Sequence, residues 1–148
     1  MSHAIESNPP GIVVTRPTVS AAHPVTQAYV ILLVGFTVLP IIAGFDKFFH
    51  GLVNWDMYLA PRVERSLPFS GHTFMLIVGV IEIIAGLIVA LRPRIGAYIV
   101  TLWLWGIVVN LLLIPSFYDI ALRDFGLSLG ALALARLSRE FAPAPFSI

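Results

Sequence analysis

The chain has 148 residues, of which 58% are hydrophobic and 11% charged, with a net charge of +1 and no cysteine. A soluble domain carries about 25% charged residues, and a chain this short has too little interior to hide so much apolar surface from water; the composition therefore argues against a soluble domain and for an integral membrane protein. The near-neutral balance excludes a basic field for nucleic acid, and the missing cysteines exclude disulfides, thiolate metal sites and thiol redox chemistry by this chain.

The first stretch, 1–25, contains Pro and Ser and has no sustained apolar period, so a disordered or extended tail is expected there. It lacks the order of a secretory signal, a basic segment followed by an apolar one and a small-residue cleavage site. A domain of four transmembrane helices is expected over 26–138, followed by a C-terminal tail over 139–148. The spans are about 27–45, 73–91, 96–115 and 118–137. Each has about the 20 residues needed to cross a bilayer, and lipid leaves helices as the only choice for a chain too short to close a barrel. The predicted fold is thus all-α, an integral membrane four-helix bundle.

Span one, "QAYVILLVGFTVLPIIAGF", contains Pro40 and should kink there. Its apolar run ends in Asp46 and Lys47, followed by Phe48 and Phe49. The connection 50–72 holds Leu52, Val53, Trp55, Met57, Tyr58 and Leu59, which suggest a short interfacial helix ended by Pro61. The links at 92–94 ("RPR") and 116–117 ("SF") are short, so the helices they join must be antiparallel neighbours. Arg16, Arg92, Arg94, Arg136 and Arg139 fall on one side, against Lys47, Arg62 and Arg65 on the other. That bias puts both termini in the cytoplasm of a bacterial-type inner membrane and the 50–72 connection outside.

Ionisable groups inside a span are costly and need a partner or a purpose. Asp46, Lys47, Glu82, Asn110, Arg123 and Asp124 all fall in the outer half of their spans. Glu82 lies roughly 13 Å from the outer end of span two at about 1.5 Å per residue, Asn110 and Arg123 about 8 Å deep. The pattern predicts a polar cluster opening outward under the 50–72 connection, with Arg123 paired to Glu82 or Asp124. Such a cluster can be a packing lock that fixes which helices face each other, or a ligand or proton site. No metal site is expected: Asp46 and His50 share a helix face at i, i+4, and no third ligand is visible. Trp103 and Trp105 of "LWLW", with Trp55 and Tyr58, could contact a quinone or a lipid. Gly126 and Gly130 of "GLSLG" are spaced for close helix approach, with Gly79 and Gly86 on span two as counterparts.

"VLPIIAGFDKFFHG", "GVIEIIAGLIVAL" and "IALRDFGLSLGALALA" together resemble helices one, two and four of the DoxX-like family of small four-helix integral membrane proteins. The resemblance covers roughly 27–137. It carries over Lys47, Glu82, Arg123 and Asp124, with Gly44 and Gly86 as packing positions, and implies an association with membrane oxidoreductase systems. Fold analogy alone does not supply function. Three functions remain open. The first is a non-catalytic accessory or structural subunit of a larger membrane complex, seated among lipids and other membrane subunits or copies of itself. The second is a quinone- or lipid-binding redox protein with its site in the outer-half cluster. The third is a small transporter, opposed by the apolar inner half and by the lack of an inverted repeat. No covalently bound cofactor is expected, and the chain is not expected to be catalytic on its own.

Overall fold

The computed structural model describes residues 23–141; the tail expected over 1–25 falls almost wholly outside them, as does most of 139–148. Four long helices run through the chain: α1 (Pro24–Phe49), α3 (Gly71–Leu91), α4 (Pro93–Leu112) and α5 (Tyr118–Phe141). Between α1 and α3 lie a 3-10 turn (Trp55–Tyr58) and the one-turn helix α2 (Pro61–Glu64). No strand is present among the described residues.

Local chemistry sets the boundaries. Pro24 and Pro93 open α1 and α4 at positions where their missing N–H is not needed. The Ser70 hydroxyl caps α3 by accepting from the Thr73 amide at 3.2 Å. α1 continues unbroken through Pro40 and ends at His50, whose φ of 53° is left-handed. The expected interfacial helix is two short pieces instead of one. Pro61 does not end a helix; it starts α2, for the same reason that Pro24 starts α1.

α1, α3 and α4 are long and apolar enough to cross a membrane. α5 falls short of that standard, because Asp119, Arg123 and Asp124 lie near one end and Arg136, Arg139 and Glu140 near the other.

The helices run alternately up and down. Tyr29 near the start of α1 stacks on Phe141 at the end of α5, with ring centres 4.3 Å apart, so these two helix ends share one end of the bundle. The α3–α4 link lies at that end too, where Val89, Ala97, Ala131, Leu134 and Ala135 form a close core. Small side chains let the backbones come together here. At the opposite end Leu59, Met75 and Val78 pack with Trp55, Phe74 and Trp103 beneath the 50–70 connection, which forms a roof.

Packing is uneven around the bundle. α1 lies mainly against α3, and α4 mainly against α5; contact between the two pairs is thinner. Glycine sets the α1–α3 approach. A Cβ on Gly44 would stand 2.5 Å from the Gly79 carbonyl oxygen, and one on Gly79 2.7 Å from that of Gly44. A Cβ on Gly86 would stand 2.6 Å from the Thr37 carbonyl oxygen. The two pairs touch at the small-residue end and separate toward the roof, which leaves room between them.

Candidate functional site: a roofed cavity with a buried ion pair

A cavity of about 560 Å³ occupies the space between the helix pairs. Its wall is mostly apolar, with Phe36, Val78, Val100 and Leu104 among the lining residues. Lys47, Glu82, Trp103, Asn110, Arg123 and Asp124 are the polar residues that share the lining with Trp55 and Tyr58.

Lys47 and Glu82 make the central contact. Lys47 Nζ donates to Glu82 Oε2 at 2.6 Å, and the two residues are only 3% and 8% exposed. The Gly44–Gly79 approach explains how they meet. With no side chain on Gly79, the Cβ of Lys47 fits 3.2 Å from where a Gly79 Cβ would stand, so Lys47 enters the bundle level with Gly79. Glu82 is one turn deeper on the same face of α3, and helical side chains tilt toward the N-terminus, here toward Lys47. The Lys47 ammonium also lies 3.8 Å from the centre of the Trp55 ring, a cation–π contact that partly replaces lost hydration.

Asp46 and Asn110 hold the roof. Adjacent helical residues point about 100° apart at 3.6 residues per turn, so Asp46 faces the connection while Lys47 faces α3. Asp46 Oδ1 accepts from the amides of Gly51 and Leu52 at 3.0 and 3.1 Å, and Oδ2 accepts from the Trp55 indole at 2.7 Å. Asn110 uses both ends of its amide: Nδ2 donates to the Tyr58 carbonyl at 2.6 Å, and Oδ1 accepts from the Ala60 amide at 3.0 Å. The roof is thus tied to α1 at one edge and to α4 at the other.

Arg123 pairs with its neighbour Asp124 and not with Glu82. The Nη2–Oδ1 distance is 2.9 Å, and the Asp124 side chain is buried while that of Arg123 is 64% exposed. Trp103 faces the cavity. Its Nε1 is buried beside the Glu82 carboxylate without a hydrogen bond of standard geometry. Trp105 turns away, 53% exposed and tilted against Phe125. Of the four expected ligand contacts, Trp103, Trp55 and Tyr58 line the cavity and Trp105 does not.

The glycines divide as well. Gly79 and Gly86 pack closely, but onto α1 and not onto α5. A Cβ on Gly130 would stand 3.2 Å from the Phe36 ring. Among the described residues, Gly126 has no neighbouring atom within 4 Å of where a Cβ would stand, so it is not a packing position within them.

Two features had no clear signal in the sequence. Lys47 and Glu82 are 35 residues apart, and only their shared outer-half placement hinted at contact. His50, Asp56 and His72 come together on the outer face of the roof. The spacing of Asp46 and His50 does not make a shared site, because the Asp46 carboxylate is engaged by Gly51, Leu52 and Trp55.

These features describe a helical protein compatible with a membrane, built as two helix pairs around a roofed apolar cavity. No family model, curated protein or solved structure matches the chain.

Proposed function

We propose that the chain is a multi-pass inner-membrane protein that binds a lipophilic molecule of quinone or lipid type in the cavity between its helix pairs. α5 would serve as the fourth span, with Arg123 and Asp124 near one boundary and Arg136 and Arg139 near the other, the start of α1 and the end of α5 toward the cytoplasm and the roof outside. The observation that carries this reading is the cavity itself: about 560 Å³ and mostly apolar, with a minority of polar residues in its lining, the paired Lys47 and Glu82 among them. Small-molecule sites have this size and character. The buried Trp103 N–H lies beside the Glu82 carboxylate without a hydrogen bond of standard geometry; a ligand carbonyl or hydroxyl would complete its bonding, and buried donors normally are satisfied. Lys47 and Glu82 lie beside it and offer a charged donor and an acceptor to the same head group. An apolar tail would lie along Val78, Val100 and Leu104. The DoxX-like resemblance agrees with this reading through Lys47, Glu82 and the membrane oxidoreductase systems it implies.

The test is equilibrium binding of a short-chain quinone and of a lysophospholipid to the full chain in nanodiscs. Saturable binding of either at one site per chain, abolished by Val78→Phe, which fills the cavity, supports the proposal. Only non-saturable partitioning, or binding that Val78→Phe leaves intact, contradicts it.

A second reading is an accessory subunit of a larger membrane complex. It draws on Gly126 of α5, where a Cβ would meet no atom within 4 Å among the described residues, next to the exposed Trp105 and Phe125 on neighbouring α4 and α5. Glycine in a helix interior costs about 0.5–1 kcal/mol relative to Ala, so a face where it contacts nothing among the described residues suits the backbone of another subunit or a second copy. Native mass spectrometry of gently extracted protein, finding the chain always alone, would remove this reading.

A further inference from the structure

We propose that His50, Asp56 and His72 form an open binding site for a transition-metal dication of the zinc type on the outer face of the roof. The residues come from three segments: the C-terminal end of α1, the 3-10 turn and the first turn of α3. One donor atom from each lies within 4.8 Å of the other two. The imidazoles are near-parallel, 5.6 Å apart, and His72 Nδ1 is 2.9 Å from Asp56 Oδ2.

Each segment is fixed by bonds independent of the cluster. The His50 amide donates to the Asp46 carbonyl at 2.7 Å, the Asn54 side chain accepts from the Asp56 amide at 3.2 Å, and Ser70 caps α3 two residues before His72. Backbone preorganisation of this kind leaves only side-chain torsions to adjust. Ligand atoms of a tetrahedral zinc stand about 3.3 Å apart, given bond lengths of about 2.0–2.1 Å, so the donors need to close by about 1.5 Å at most. His72, with 53% of its side chain exposed, is free to do so.

Two further observations point to a cation. Asp56 Oδ1 is buried with no hydrogen-bond partner, while Oδ2 meets His72. A desolvated, unpartnered carboxylate oxygen is costly, and a metal ion would relieve it. His50 is the one non-glycine residue with positive φ among those described. That helix-terminal position usually takes Gly or Asn, and an imidazole there accepts backbone strain of about 1–2 kcal/mol while placing its ring against His72. Two nitrogen donors and one oxygen favour zinc and its neighbours over magnesium or calcium. Three protein ligands leave a fourth position for water or an outside ligand. The ion would join α1, the roof and α3, the same three segments that enclose the Lys47–Glu82 pair.

The experiment is zinc titration against a competing chromogenic chelator, using the full chain in detergent without a histidine tag. His3→Asn and His23→Asn remove the remaining histidines from the background. One zinc per chain is expected, with affinity falling about 100-fold or more in His50→Ala and in His72→Ala, since loss of even an outer-shell partner costs about 10- to 100-fold. The chain has no cysteine, so in His72→Cys loaded with cobalt(II) a sulfur-to-cobalt charge-transfer band can arise only from residue 72. That band is expected, and it keeps the test valid should either alanine variant misfold. Absence of stoichiometric zinc, zinc binding unchanged in both alanine variants, or folded His72→Cys that takes up cobalt without the band would each overturn the proposal.

Discussion

Lys47→Met removes one partner of the buried ion pair and keeps most of the side-chain volume. Glu82 is then left 8% exposed without the ammonium that stands 2.6 Å from it. Removing one member of a buried pair costs about 3–5 kcal/mol, whereas replacing both with groups of similar size is often close to neutral. Lys47→Met is therefore expected to lower stability by about 3 kcal/mol or more, and Glu82→Leu by a similar amount. The double variant is expected to recover most of the loss: single losses of about 3 kcal/mol each, with about 1 kcal/mol left in the double, give a coupling energy of about 5 kcal/mol, above the range usual for residues in direct contact. Loss of the Lys47–Trp55 contact adds about 0.5–2 kcal/mol to every variant lacking Lys47, and the cycle cancels it. The assay is reversible unfolding in mixed micelles titrated with SDS, followed by far-UV circular dichroism. Additive single effects, with coupling below about 0.5 kcal/mol, would refute the claim that this pair joins α1 to α3 energetically.

Other substitutions test the surrounding structure. Asn110→Leu removes both bonds to the roof and leaves the Tyr58 carbonyl and Ala60 amide without side-chain partners; a loss of about 1–3 kcal/mol and faster hydrogen exchange at Ala60 are expected, and unchanged exchange would argue against the tie. Asp46→Ala frees the Trp55 indole N–H, so the tryptophan emission should change and protease cleavage within 50–70 should rise. Gly79→Ala puts a Cβ 2.7 Å from the Gly44 carbonyl oxygen and 3.2 Å from Lys47 Cβ; overpacking of this kind costs about 1–3 kcal/mol. Gly126→Ala meets nothing and should stabilise the isolated chain by up to about 1 kcal/mol, measured by the same unfolding assay.

Much of the architecture was legible in the sequence because hydropathy and short links report directly on helices and their order. The start of span four at 118 coincides with the start of α5, and the last residue of span two, Leu91, ends α3. The earlier starts of α1, α3 and α4 reflect Pro24, Ser70 and Pro93, capping signals that a hydropathy window passes over. α5 runs to Phe141, past the expected end of span four at 137 and into the expected tail, and its apolarity falls below that of the other three because its charges gather at both ends. That the polar residues gather toward the roof end of the bundle was readable by counting turns, but their partners were not. Depth along a helix follows from sequence position; the direction a residue faces depends on how neighbouring helices pack. Asp46 and Lys47 show this most plainly, since one residue of separation sends one to the roof and the other to Glu82. Asn110 was placed by depth alone, and its bond to the backbone at Tyr58 and Ala60 follows from the roof's path, which no periodic pattern encodes. The same is true of His50, Asp56 and His72, which only the fold of that connection brings together.

The occupancy of the cavity is the central question, and photo-crosslinking addresses it most directly. A quinone carrying a photoreactive group on its ring is equilibrated with the full chain in nanodiscs, irradiated, and mapped by peptide mass spectrometry. Adducts at Trp103, Leu104 or Val78, suppressed by excess unlabelled quinone or lysophospholipid, are the expected result. Adducts confined to outward-facing residues such as Trp105, Leu102 or Phe45, insensitive to competitor, would contradict binding between the helix pairs.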